Sequence, residues 1–195
     1  SGRRSVSLGT RLRAAMATLG VLCALLGFFG VQTLNNGDEA LHAMYQHHLQ
    51  PSNVINRVML LLADNRSQIM LSLQHDPGSP VVSLHDHPLD MHVQATLKNR
   101  KEINALLAQL RQLPLTAEQQ TLLAHFAQTR ERFWQEGVNV AREQLKNGQY
   151  HPATLTLRTR INPLYADMRR DGEALIQSLA DSAARSHAER SAEFD

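Results

Sequence analysis

Residues 55–70 read INRVMLLLADNRSQIM, and apolar side chains recur in them at Ile55, Val58, Leu62 and Ile69, with Asn65 in the same phase. Steps of three and four draw one stripe down a helix, whereas a strand would alternate at every second residue. The stretch therefore reads as one wall of a helical bundle. A second stripe, Met59, Ala63, Arg66, Met70 and Leu73, runs beside the first. A helix with two such stripes can face its own bundle and a partner at once. Pairing of this helix with its copy in a homodimer is expected, with Arg66 at the seam.

Three further stretches carry the same spacing. The second is Leu89, Val93, Thr96, Arg100, Ile103, Leu107 and Leu110; the third Leu123, Phe126, Arg130, Phe133, Gly137 and Val140. The fourth is Leu157, Ile161, Leu164, Met168, Gly172, Leu175 and Leu179. Breaker clusters separate them at His75 to Pro88, Leu113 to Thr116 and Asn147 to Pro152. Pro77 and Gly78 are stop signals, Thr116 with Gln119 forms a capping box, and Gly148 reads as a glycine just past a helix end. Aromatic residues make up only 5% of the chain, and alternation is confined to Leu155 and Leu157, so strands are not expected. The fold class is all-α: an antiparallel up-down-up-down four-helix bundle. The first helix (about 35–76) and the fourth (about 152–195) outrun the middle two, giving long outer helices that extend towards a membrane.

That membrane is inferred from the N-terminus. Arg3, Arg4, Arg11 and Arg13 precede the uncharged run Ala14 to Leu34, which as a helix spans about 31 Å, the thickness of a bilayer core. The run is long for a signal peptide and no A-x-A cleavage pattern follows it, which favours a retained anchor. Positive charge on one side only keeps residues 1–13 cytoplasmic, makes 14–34 a transmembrane helix and places 35–195 in the opposite compartment. A second membrane helix is expected after Asp195. The net charge of +2 comes from the arginine-rich start; beyond Leu34 acidic residues slightly outnumber basic ones, so no nucleic-acid partner is expected. The one cysteine, Cys23, lies inside the apolar run, which leaves the rest of the chain to packing.

The arginine-flanked membrane helix is joined by Tyr45, Leu49, Pro51 and Ile55, by Leu60-Leu61-Leu62 with Asn65-Arg66, by Leu115-Thr116 with Glu118, and by Pro163-Leu164-Tyr165. In these the chain resembles the exported four-helix-bundle ligand-binding domain of bacterial methyl-accepting chemotaxis receptors, the group that includes the enteric aspartate receptor. The resemblance implies a periplasmic sensor domain tethered to the inner membrane, signalling through a piston-like shift of the fourth helix. It also implies an arginine on the first helix that holds the ligand's carboxylate at a dimer interface, and Arg66 is the matching position. The further arginines of the aspartate receptor are missing, since Gln68, Ser72 and Gln74 follow instead, so aspartate itself is not the expected ligand. Sensor-kinase ectodomains share the architecture.

Polar residues within apolar stripes need an explanation. With the three loops as level marks, Arg66, Thr96, Gly137 and Asn162 fall at one height, and Arg100, Arg158 and Tyr165 lie within about a turn of them. Gly137 is expected to leave room where a side chain would sit. Arg66, Thr96, Arg100, Trp134, Gly137, Arg158, Asn162 and Tyr165 are thus the candidate ligand-binding residues. Guanidinium grips carboxylate through two parallel hydrogen bonds, and Arg66 with Arg100 or Arg158 suits a di- or tricarboxylate such as malate, succinate or citrate. Tyr165 and Trp134 leave an aromatic acid or an amino acid as the alternative, and a ligand-free structural bundle is the plainest rival. The plainer role for Arg100 and Arg158 is pairing with glutamates, and for Asn162 service to the backbone beside Pro163.

The run His85-Asp86-His87 with Asp90 and His92, and His75 nearby, offers imidazole and carboxylate, ligand types for zinc or nickel, but matches no ligand spacing; a solvated loop is the expected reading and a metal-sensing variant its rival, and no metal and no cofactor are expected. With no phosphate loop, nucleophile motif or paired catalytic carboxylates, no enzyme is expected.

Overall fold

The computed structural model describes residues 8–45 and 49–192, which divide into two compact units, one ending at Met44 and one beginning at Tyr45. The first unit is a single helix, α1 (Leu8–Met44). Its stretch Met16–Leu34 is long and apolar enough to cross a membrane. Leu19, Leu22, Phe28 and Phe29 all stand exposed. The helix runs without a break through residues 35–44, so the boundary expected at 34/35 falls inside it. Arg3, Arg4, His47, His48 and the last three residues lie outside the described part.

The second unit is the bundle. Its first rod is α2 (Gln50–Leu73) and its second α3 (Leu89–Leu110). The third joins α4 (Ala117–Arg132), a π-helical turn Phe133–Val138 and α5 (Asn139–Lys146). The fourth joins α6 (Tyr150–Thr156), a second π-helical turn Leu157–Ile161 and α7 (Asn162–Ala192). Among the described residues there is no strand. The rods alternate in direction; α2 packs on α3 and α7, α4 on α7, and α5 on α6.

Local chemistry sets the ends. Pro51 sits in the first turn of α2, where its missing N–H costs nothing. Thr116 Oγ1 accepts from the Gln119 N–H at 3.2 Å while Gln119 Oε1 accepts from the Thr116 N–H at 3.0 Å. Both halves of the capping box are present, and Gln119 also donates to the Ser178 carbonyl and to Ser182 Oγ on α7. Gly148, at φ 70°, closes α5: its N–H reaches the Leu145 carbonyl and the Gln149 N–H the Gln144 carbonyl, the two bonds of a Schellman motif.

The stripes of α2, α4 and α7 are buried as read: Ile55, Val58, Leu62, Asn65 and Ile69 on α2, Leu123, Phe126 and Phe133 in the third rod, and Ile161 to Leu179 in the fourth. The third stripe fails at its end. Val140 is exposed, and Val138, Ala141 and Leu145 are buried instead. A π-turn inserts an extra residue, so every later side chain is rotated off the extrapolated face. Gly137, expected to leave a gap, leaves none, because a Cβ there would stand 2.9 Å from Ile161 Cγ1. The two π-turns pack against each other, and the glycine is what lets them meet.

Gly137→Val should therefore lower stability by about 1–3 kcal/mol through overpacking, more than the helix propensity it regains. Gly148→Ala should cost about 1 kcal/mol, since alanine resists positive φ. Urea unfolding followed by circular dichroism measures both.

Candidate functional site

The second π-turn ends at Ile161, and α7 opens with Asn162 and Pro163. A proline within a continuous rod leaves a carbonyl of the preceding turn without its usual donor and crowds that turn, and the wider π-turn accommodates it. Asn162 and Tyr165, at the start of α7, face α2. Arg66 Nε donates to Asn162 Oδ1 at 2.8 Å, and the Arg66 guanidinium lies 5.5 Å from the centre of the Tyr165 ring. Asn162 thus serves the guanidinium through its side chain. Tyr165 is braced from behind by Phe133, with ring centres 6.2 Å apart. All three polar residues are half-buried.

The partners of Arg66 are all neutral. Arg57 pairs with Glu102 at 2.7 Å, Arg130 with Glu131 at 2.9 Å and Arg132 with Glu136 at 2.9 Å, but no carboxylate among the described residues pairs with Arg66. An amide oxygen and a phenol face orient a guanidinium without neutralising it. The charge stays available to an anion.

Arg100 and Trp134 belong to a different place. Arg100 on α3 lies 4.4 Å from the Trp134 ring centre and Arg142 on α5 lies 5.5 Å from it, so two cations stand over one buried indole. Arg100 also approaches Glu131 at 3.6 Å. Arg130, beside them, donates to Asn104 on α3. Burial pushes the Arg130 and Arg142 guanidiniums below their usual range; Glu131 and Glu143 respectively oppose that, while nearby Arg100 adds to it in both cases. Arg142 is 5% exposed and donates to Asn139 Oδ1, yet its Nε and the Trp134 Nε1 are buried with no acceptor.

The remaining candidates are dispersed. Thr96 is fully buried and its hydroxyl donates to the Val93 carbonyl at 2.7 Å, which occupies it within its own helix. Arg158 is exposed in the second π-turn, and Gly137 is covered by Ile161. Two open grooves lie elsewhere, one of about 540 Å³ lined by Glu136, Gln144, Thr156 and Arg160, the other of about 320 Å³ lined by Arg57, Asp64, Lys98 and Glu102. Sequence reasoning brings Arg66 and Asn162 to one level, with Tyr165 about a turn away, and misses Arg142. The signal for Arg142 is its spacing of four from Val138 and three from Leu145, hidden by the register change of the first π-turn.

If Arg142 is only a packing element, Arg142→Met should keep or raise the melting temperature, because a buried unpaired guanidinium is replaced by an apolar chain of similar reach. Thermal unfolding of the ligand-free chain gives the answer. Trp134→Ala should cost about 3–5 kcal/mol in the same measurement.

Comparison with known proteins yields one family. The profile described as "Tar ligand binding domain homologue" matches residues 3–183. No curated protein and no solved structure matches the chain.

Proposed function

The chain belongs to the Tar ligand binding domain homologue family, a chemoreceptor sensor family of the four-helix-bundle type and not an enzyme class, and on that premise we propose that it binds a small dicarboxylate through Arg66. The observation that carries this reading is a half-buried guanidinium held in place by Asn162 and Tyr165 with no carboxylate partner among the described residues. Such a group is pre-oriented, so an incoming carboxylate gains a charge-assisted pair without first breaking an internal one.

The second anchor comes from a second copy. Arg100 is engaged with Trp134 and Glu131, and Arg158 is exposed, so neither joins Arg66 within one chain. Arg66 shares its edge stripe with half-buried Ala63 and exposed Met70, and Leu60 and Leu71 are exposed on the same helix. Pairing of α2 with its symmetry mate covers these apolar groups and brings two Arg66 side chains together, one for each carboxylate of malate or succinate. Met59, on the same stripe, is already engaged inside the chain, packed against Gly172. The domain lies in the periplasm with α1 in the inner membrane, and occupancy selects one register of α7 against α2, because Asn162 and Tyr165 ride on α7 while Arg66 rides on α2.

A second reading rests on the Arg100, Trp134 and Arg142 stack, whose two orphaned N–H donors would be satisfied by an acid bound between α3 and the third rod.

Titration calorimetry of the full chain in detergent, with malate, succinate, citrate and an aromatic acid, decides between them. Arg66→Ala should weaken dicarboxylate binding by about 2–5 kcal/mol, and Arg66→Lys should fail to restore it because the fork geometry is lost. Undiminished binding by Arg66→Ala together with loss in Arg142→Met would move the site to the stack.

A further inference from the structure

Four imidazoles meet where α2 ends and α3 begins. His75 follows the last turn of α2, His85 and His87 lie in the loop after the short 3-10 turn Val82–Leu84, and His92 is in the first turns of α3. The rings of His75 and His85 are 4.1 Å apart centre to centre and those of His87 and His92 4.9 Å. His75 lies 5.3 Å from both His87 and His92. One ring nitrogen each from His75, His85 and His87 fall within 4.8 Å of one another, and His87 Nε2 stands 2.9 Å from His92 Nε2. The loop between them holds Pro77, Gly78, Pro80 and Pro88, so the convergence crosses three turns and could not be read as a spacing.

Hydrogen bonds on the far side of two rings set their tautomers. Gln68 Nε2 donates to Asp64 Oδ1 at 3.1 Å, which leaves Gln68 Oε1 to accept from His92 Nδ1 at 2.7 Å. Asp64 is held in turn by Asn99 at 2.6 Å. His92 therefore carries its proton on Nδ1 and turns the Nε2 lone pair inward. Asp86 Oδ1 lies 2.8 Å from His87 Nδ1, so His87 also keeps a proton on its outer nitrogen and aims Nε2 at His92. Two inward nitrogens 2.9 Å apart share one proton at best. His75 Nε2 is buried with no hydrogen-bond partner, a third nitrogen with nothing to bind.

We propose that His75, His85, His87 and His92 bind one divalent transition-metal ion of the zinc class, with Gln68 and Asp86 orienting His92 and His87. Imidazole nitrogens select zinc, nickel or copper over magnesium and calcium, which take oxygen ligands. Two nitrogens on a tetrahedral zinc at 2.0–2.1 Å stand about 3.3 Å apart, so His87 and His92 need separate by only a few tenths of an ångström. The outer N–H groups of His87 and His92 already rest on the Asp86 carboxylate and the Gln68 carbonyl, the usual support of a metal-bound histidine. The ion takes the place of the shared proton and staples the loop to both helices. The site is separate from Arg66 and stands or falls without the carboxylate reading.

The test uses the full chain in detergent, stripped with chelator and dialysed against zinc chloride with excess magnesium, metal being counted by elemental analysis. One zinc per chain is expected, with a rise in melting temperature and, with cobalt(II) instead, an intense visible absorption of tetrahedral type. The His85→Ala/His87→Ala double variant, altered only in the loop, should bind at least ~100-fold more weakly, and Gln68→Ala ~10–100-fold more weakly, with Gln68→Glu restoring affinity. His151→Ala, exposed on α6, should bind as the parent does, and malate titration of the double variant keeps the two sites distinguishable. Zinc binding that is absent, displaced by magnesium, or unchanged in the double variant with helicity intact overturns the proposal.

Discussion

The packing of Gly137 against Ile161 is the contact on which the rest of the bundle depends. Two π-turns meet there, one in the third rod and one in the fourth, and the absence of a side chain on Gly137 lets the backbones approach. The first π-turn rotates the residues beyond it. In the third rod the rotation buries Ala141, Arg142 and Leu145 and puts Val140 outside. In the fourth the apolar stripe keeps its phase from Ile161 to Leu179, and Asn162 and Tyr165 contact Arg66 of α2. The burial of Arg142 is a consequence of that seam.

Charge inside this bundle is handled in two ways. Towards α3 the guanidiniums of Arg100 and Arg142 rest on an indole, and Arg130 is compensated by Glu131 and Asn104. The compensation there is internal, between two rods joined by long side chains. Towards α7, Arg66 meets only an amide and a phenol. A cation oriented but left with its charge uncompensated is suited to an external anion, and its place between two different rods couples capture of that anion to their relative position. The histidines at the α2–α3 end form a third polar cluster, tied through Gln68 and Asp64 to Asn99 and so to both helices of that pair.

Periodicity makes most of the architecture legible. Ile55, Val58, Leu62, Asn65 and Ile69 are buried as their spacing requires, Thr116 caps α4 with Gln119, and Gly148 ends α5. Levelling the loops also puts Arg66 and Asn162 at one height with Tyr165 about a turn away, because rise per residue is constant along a helix. Val140 and Arg142 depart from the extrapolated faces because a π-turn breaks the angular repeat while leaving the apolar pattern nearly intact. Gly137 reads as a gap because a missing side chain looks the same in sequence whether the space is empty or filled by a neighbour.

Sequence by itself determined the all-helical class, the loops that separate the four rods, the apolar first helix and the presence of arginines within core stripes, since each follows from local repeat, capping chemistry or composition. Tertiary structure alone decided which arginines are compensated: Glu131 is adjacent to Arg130 in the chain but reaches Arg100 only across rods, and nothing local says that Arg66 meets no carboxylate. It alone gathered His75, His85, His87 and His92, because proline and glycine turns of irregular geometry fold a loop whose ligand spacing carries no period. Local repeats specify helices; the pairing of charges and ligands depends on distances between elements, and those exist only once the rods have packed.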